Sequence, residues 1–271
     1  MNTDTPEKLA PVLYIPHGGG PLPLLGDPDH QELVDFLRSV PSLLGDPAAI
    51  LVISAHWEEE IATVTSHPQP SLYYDYYGFP DKAYQIQYPA PGQPELAKKI
   101  YHALQEHGIA SRMDEKRGLD HGVFVPLKIM YPDATIPCVQ LSLLKNLDAT
   151  SHIQIGKALS ELRKENILIL GSGFSFHNMR AFFTQQYPGE DDPRNTAFQQ
   201  WLNETCISGS LDQSQREKRL IHWEEAPYAR YCHPREEHLL PLHVCFGIAA
   251  SPAQLIFEGN VTGKKAVSLL W

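Results

Sequence analysis

Apolar positions along the chain follow two rhythms. Continuous runs at Val12 to Ile15, Ala49 to Ser54 (AILVIS) and Ile167 to Leu170 show no polar alternation, as expected of central strands covered on both faces. Elsewhere apolar residues recur at helical spacing. Leu33, Val34, Phe36 and Leu37 do so within Asp29 to Val40, and Ile155, Leu159 and Leu162 within Ser151 to Lys164. Further helices are predicted over Glu95 to His107, closed by Gly108, and over Phe124 to Tyr131. Pro193 to Cys206 carries its proline at a tolerated first-turn position, and Glu237 to Ala250 is expected to be interrupted early by Pro241. Ile61 to Thr65, Ile136 to Leu141, Leu255 to Glu258 and Ala266 to Leu270 read as additional strands. Strands alternating with helices predict an α/β fold, with a central mostly parallel or mixed sheet and helices on both faces. No repeat or linker interrupts the pattern, so residues 1–271 are expected to form a single domain. Residues 67–93, rich in Tyr and Pro, follow neither rhythm, and a loop of that length is often a lid or a binding loop.

Composition narrows the partners. Formal net charge is -10, which argues against nucleic acid or an anionic membrane surface as the main partner. Arg112, Lys116 and Arg117 lie close together, and a solvated surface is the usual cause of such a run. The four cysteines (Cys138, Cys206, Cys232, Cys245) are scattered without a C-x-x-C pair, as in a reducing compartment. The N-terminal MNTDTPEKLAPVLYI has neither the basic start nor the apolar core of a signal peptide, so a cytoplasmic protein is expected. No apolar run approaches the ~20 residues of a membrane span.

The 13 histidines change the picture, because several stand where strands should end. The first strand runs into His17-Gly-Gly-Gly, the second gives ILVISAHW with His56, and the third gives ILILGSGFSFHN with His177. Open α/β sheets place their sites beyond the carboxyl ends of strands, and strands about 4.8 Å apart bring such residues together. HGGG supplies oxyanion donors in some hydrolases, but no serine here has glycine at both -2 and +2, as a nucleophile elbow requires. Metalloprotease spacing also fails: HPREEH (His233 to His238) has one residue too many for H-x-x-E-H, and helical residues five apart diverge. One of those two histidines, with His17 and His56, could complete a three-residue metal site that leaves positions open. In GLDHG, Asp120 beside His121 suggests a histidine held in a tight loop.

Taken in order, HGGGP (17–21), ISAHW (53–57), YDYYGFP (74–80), YPAPG (88–92), GLDHGVFVPLKIMYP (118–132), IPCVQLS (136–142), GSGFSFHN (171–178) and EEHLLPL (236–242) resemble the class III extradiol ring-cleaving dioxygenases, in their DOPA-dioxygenase-like branch. The resemblance implies extradiol cleavage of a catechol-type ring, DOPA-like or related, with O2, at a catalytic metal that is functionally Fe(II) and often Zn(II) as purified. It places the metal ligands on His17, His56 and His238, with His177 as the proton-transfer residue or a further ligand. His121 falls beside the metal in oxygen handling, with Asp120 orienting its ring. The aromatic segment fits a wall for a flat ring, so Tyr74, Tyr77 and Phe79 are candidate substrate contacts, together with Gly19. At Gly19 many relatives carry serine, which leaves the identity of the catechol open. The alternatives are a non-catalytic Memo-like binding or signalling module on the same scaffold and a metal-dependent hydrolase.

Overall fold

A computed structural model describes residues 9–183 and 191–271. The first eight residues, part of the N-terminal segment read above, lie outside the described residues. The apolar runs become the middle of an eight-stranded sheet. Its strands are β1 (Val12–Pro16), β2 (Ala49–Glu59), β3 (Ala62–Thr65), β4 (Ser111–Asp114), β5 (Cys138–Leu144), β6 (Ile167–Gly173), β7 (Gln254–Val261) and β8 (Lys264–Leu270). They stand in the order β4-β3-β5-β2-β6-β1-β8-β7. The central four, β5, β2, β6 and β1, are mutually parallel, whereas β3 and β8 pair antiparallel to β5 and β1. The sheet is therefore mixed, with its parallel part where apolar residues are continuous. The hairpin from β7 to β8 turns through Thr262 and Gly263, both with positive φ, a backbone that matches the right-handed twist of hairpin strands.

Among the described residues the helices are α1 (Leu22–Leu25), α2 (Gln31–Ser39), α3 (Pro41–Leu44), α4 (Pro94–Glu106), α5 (His121–Met130), α6 (Ala149–Ala158), α7 (Met179–Phe183), α8 (Pro193–Ile207), α9 (Gln213–Ile221), α10 (Ala229–Cys232) and α11 (Leu240–Ala249). Two neighbouring residues of β6 show how they are layered. A Cβ on Gly171 would strike Cys245 and Pro241 of α11, whereas the Ser172 hydroxyl reaches the Gly122 carbonyl of α5. Successive strand residues point to opposite faces, so α11 and α5 cover opposite sides of the sheet. Gly156 of α6 and Gly247 of α11 lie backbone to backbone, a contact that any side chain would break.

Several boundaries differ from the sequence reading for local reasons. Pro241 starts α11 instead of interrupting it, since a first-turn proline gives up no helical N–H bond. The segment expected as one helix over Ser151 to Lys164 ends as α6 at Ala158 and continues as a 3-10 turn over Ser160–Glu165. Helix α5 begins at His121, three residues before the expected Phe124, and carries Pro126 inside it. Residues 67–93 are irregular apart from a short bridge at Leu72 and a 3-10 turn over Asp81–Gln85. No helix among the described residues is long and apolar enough to cross a membrane.

Candidate metal centre

The three apolar strands that end in histidine motifs are adjacent in the sheet, as β2, β6 and β1. Their carboxyl ends form the floor of the site. His17 follows β1 and is buried, with Nδ1 3.0 Å from the Ser172 hydroxyl at the end of β6. The single hydroxyl hydrogen of Ser172 goes to the Gly122 carbonyl, so its oxygen accepts from His17. The proton of the neutral ring therefore sits on Nδ1, and Nε2 is left as a lone pair.

His56 stands in the outer part of β2, where register with β5 shifts between Ile53 and Glu58. Its Nε2 is 3.0 Å from Nε2 of His17, and its Nδ1 is 3.6 Å from Asp75 Oδ2. His238 precedes α11. Its carbonyl accepts from the Tyr14 hydroxyl and the Phe174 N–H, each at 3.0 Å, so β1 and the end of β6 fix its backbone. Its Nδ1 lies 3.0 Å from Glu237 Oε1.

One nitrogen from each of His17, His56 and His238 lies within 4.8 Å of the others. Burial first, then the neighbouring histidines, hold all three well below the ordinary histidine value. They remain neutral lone-pair donors at pH 7. His17 Nε2 is unprotonated, so the space between it and His56 Nε2 takes either the His56 proton or a cation. Three neutral imidazoles, each backed by a hydrogen-bonding group or a nearby carboxylate, are the donor chemistry of a first-row divalent metal with open positions.

Two further groups adjoin this one. His56, Asp75 and His121 form one, and His177, Glu237 and His238 the other. His177 stacks on His238 with ring centroids 3.4 Å apart and an angle of 16°, its Nδ1 3.1 Å from Glu237 Oε1. Asp75 Oδ1 accepts from both the backbone N–H (3.0 Å) and Nδ1 (2.8 Å) of His121. Burial alone would raise the Asp75 carboxyl, but the side-chain and backbone hydrogen bonds from His121 outweigh it and hold it below the usual carboxylate range.

Asp75 therefore replaces Asp120 as the partner of the His121 ring. Asp120 is fully buried and spends its carboxylate on the Ser54 hydroxyl (2.7 Å), Gln140 and Arg117. It stands before the first turn of α5, and burial pushes its pKa up. Tyr74 also departs from expectation. Its hydroxyl bonds the Ile86 carbonyl at 2.6 Å and its ring packs on Tyr84 and Phe124, while Tyr76 takes the place at the cavity. Tyr77, Phe79 and Gly19 do line that cavity, which has a volume of about 930 Å³ and has His17, His56, His121, His177 and His238 in its wall. His233 turns away, with Nε2 3.0 Å from the Ser175 carbonyl. Arg117 is not a solvated surface charge: it lies 4.4 Å over the Tyr73 ring and donates to the His56 carbonyl at 3.2 Å.

Asp75, Ser172 and Glu237 lie inside the motifs YDYYGFP, GSGFSFHN and EEHLLPL, but the sequence assigns none of them a role at the site. The signal was present only as polar residues inside otherwise apolar or aromatic stretches: Ser172 between two glycines, Asp75 among four tyrosines.

Residues 12–266 match the model of a family described as the catalytic LigB subunit of aromatic ring-opening dioxygenase. Dioxygenase tasH of Hapsidospora irregularis is 41% identical over 255 residues, covering 89% of this chain and 78% of that protein. A 4,5-DOPA dioxygenase extradiol of Mirabilis jalapa is 39% identical, covering 87% of this chain and 85% of its own. The crystal structure of an uncharacterized Escherichia coli protein superposes with a TM-score of 0.77 at 29% identity, over 96% of this chain and 99% of that one.

Proposed function

The chain belongs to the LigB family of extradiol aromatic ring-opening dioxygenases, and from that premise we propose that His17, His56 and His238 are the ligands of its catalytic metal, Fe(II) in the working enzyme, with Zn(II) an alternative occupant. The whole chain is taken as one catalytic domain. The observation that carries this reading is the convergence of three neutral imidazoles, two buried and His56 half-buried, from the end of β1, the outer part of β2 and the segment before α11, with Ser172 behind His17, Asp75 near His56 and Glu237 behind His238. Iron held there would acidify a catechol hydroxyl and make O2 reactive toward the ring.

The remaining work falls to the chain's own side chains. His177, with Nδ1 directed at Glu237, has Nε2 available to take the proton of a catechol hydroxyl and return it to the ring-opened product. His121, with Nδ1 donated to Asp75, presents its other nitrogen as a second proton acceptor in the cavity wall. The glycines of the first motif let the chain turn tightly against Pro23, His30 and Phe79 directly after His17. Gly18 and Gly20 have positive φ, and a Cβ on Gly18 would come 2.6 Å from Pro23. Tyr77 and Phe79 supply aromatic wall for a flat ring, with offset contacts contributing about 0.5–1.5 kcal/mol beyond burial. A catechol, DOPA-like or related, and O2 are the reactants.

The test joins metal content to turnover. His56→Ala should lose stoichiometric iron and O2 uptake together. His177→Ala should keep most of its iron while turnover with a catechol falls about 10²-fold or more. Full metal content in the first variant would sink the ligand assignment, and loss of metal in the second would move His177 into the ligand set.

A further inference from the structure

We propose that the outer half of the cavity is a subsite for an uncharged apolar substituent, so that the ring substrates of this enzyme are catechols carrying an alkyl or aryl group. The inference rests on the dioxygenase reading for the chemistry and on the cavity wall for the substrate class.

Size is the first argument. A cavity of about 930 Å³ stands near the top of the range, roughly 300–1,000 Å³, that accommodates drug-sized ligands. One aromatic ring and O2 occupy only a fraction of it. The second argument is the chemistry of the remaining wall. Away from the five histidines it is built largely by Leu22, Phe79, Phe174, Met179, Phe182 and Phe183. Three of these belong to α7, which starts two residues after His177, so the apolar wall begins beside the proton-transfer residue.

Charge supplies the third argument. Besides the histidines, the described lining contains two charged side chains of opposite sign, Asp29 and Lys264, and the two phenols Tyr76 and Tyr77. The Lys264 ammonium is buried, 3.4 Å from Asp192 Oδ2, a carboxylate it shares with Arg194, and 5.5 Å over the Phe176 ring, so protein groups already engage it. An amino-acid substituent has to take both of its charges out of water, and besides the histidines the described lining offers them only this engaged lysine and the exposed Asp29. The fourth argument is exposure. Tyr77 (91%) and Phe183 (80%) are the most exposed large apolar side chains among the described residues, and both line this cavity. Scattered exposed apolar residues are ordinary, but two around one catalytic opening indicate a surface that a ligand covers.

The experiment uses catechol, 4-methylcatechol, 4-ethylcatechol, 4-butylcatechol and DOPA. Dissociation constants are measured by calorimetry on zinc-loaded protein, and kcat/KM by O2 uptake on iron-loaded protein. Affinity should rise about twofold to fourfold per added methylene, approaching full burial of each CH2, with DOPA binding no more tightly than catechol. A flat series, or DOPA binding more tightly than 4-butylcatechol, overturns the subsite. Phe183→Asp, at an exposed position that does not endanger the core, should flatten the dependence on chain length, and an unchanged slope would remove α7 from the subsite. A steep series in the binding arm without O2 uptake in the iron arm supports the subsite and counts against the dioxygenase chemistry, so the two readings fail separately.

Discussion

Asp75 does the most of any residue to which the sequence assigned no role. One carboxylate oxygen holds the His121 ring and its backbone N–H, and the other stands 3.6 Å from His56 Nδ1. Removing it in Asp75→Ala frees both rings, and groups of this kind typically alter metal affinity or activity by 10–100-fold. We expect iron affinity and kcat each to fall by about that factor, whereas Asp75→Asn, which keeps an acceptor oxygen, should recover part of both. Equilibrium dialysis of iron together with O2 uptake measures the two effects, and an Ala variant with native values would overturn the role. The contrast with Asp120 shows what the sequence could not resolve. Asp120 is His121's chain neighbour, but the helix that starts at His121 turns the Asp120 carboxylate back toward Ser54 and Gln140. Asp75 reaches the same ring from 46 residues away through an irregular loop, where no periodicity fixes side-chain direction. Tyr74 and Tyr76 are equally indistinguishable without coordinates, since alternate residues in such a loop have no assigned face. His17, His56 and His177 were legible because each follows a strand whose burial is written as an unbroken apolar run.

Strands β1, β2 and β6 were readable for that reason, and their adjacency in the sheet follows from the parallel α/β pattern. Strand β4 was not, because Ser111 to Asp114 is a short polar edge without alternation. Helix α9 has no counterpart among the helices expected from the sequence, although Asp212 and Gln215 form a reciprocal capping box that marks its start. Within the elements, glycine positions separate tolerance from necessity. At Gly19 the backbone is not in the left-handed region, and a Cβ would stand 3.5 Å from its nearest neighbours, ordinary contact. At Gly173, the last residue of β6, a Cβ would run into the His238 carbonyl, which already accepts from Tyr14 and Phe174. Gly19→Ser should therefore fold with a Tm close to the parent, while Gly173→Ala should lose about 1–3 kcal/mol and weaken metal binding. Thermal melts with and without added metal check both, and equal melting temperatures for the two variants would contradict the packing argument.

The whole molecule buries more histidine than its site uses. His152 is held to about 4 and His233 to about 3, chiefly by burial, and His243 is lowered for the same first cause. A histidine kept neutral in the folded state takes up its proton on unfolding, so the unfolded chain binds more protons once pH drops below about 6.5. Stability should therefore fall as pH is lowered from about 6.5 toward 4, by ~1.4 kcal/mol per pH unit for each fully responding histidine. Urea unfolding of metal-free protein at pH 7, 6 and 5 reads this directly, and a constant midpoint over that range would refute it. The bond from the Tyr14 hydroxyl to the His238 carbonyl, 224 residues apart, carries a consequence in time. A chain emerging from its N-terminus has two of the three proposed ligands near at hand early, but the last stands 224 residues after Tyr14 and arrives long after them. Contacts of such separation form late, after the loops between them have closed. With the proposed ligands, metal capture is thus a late event of assembly: a chain that stops short of His238 lacks the complete set with which to bind a redox-active metal.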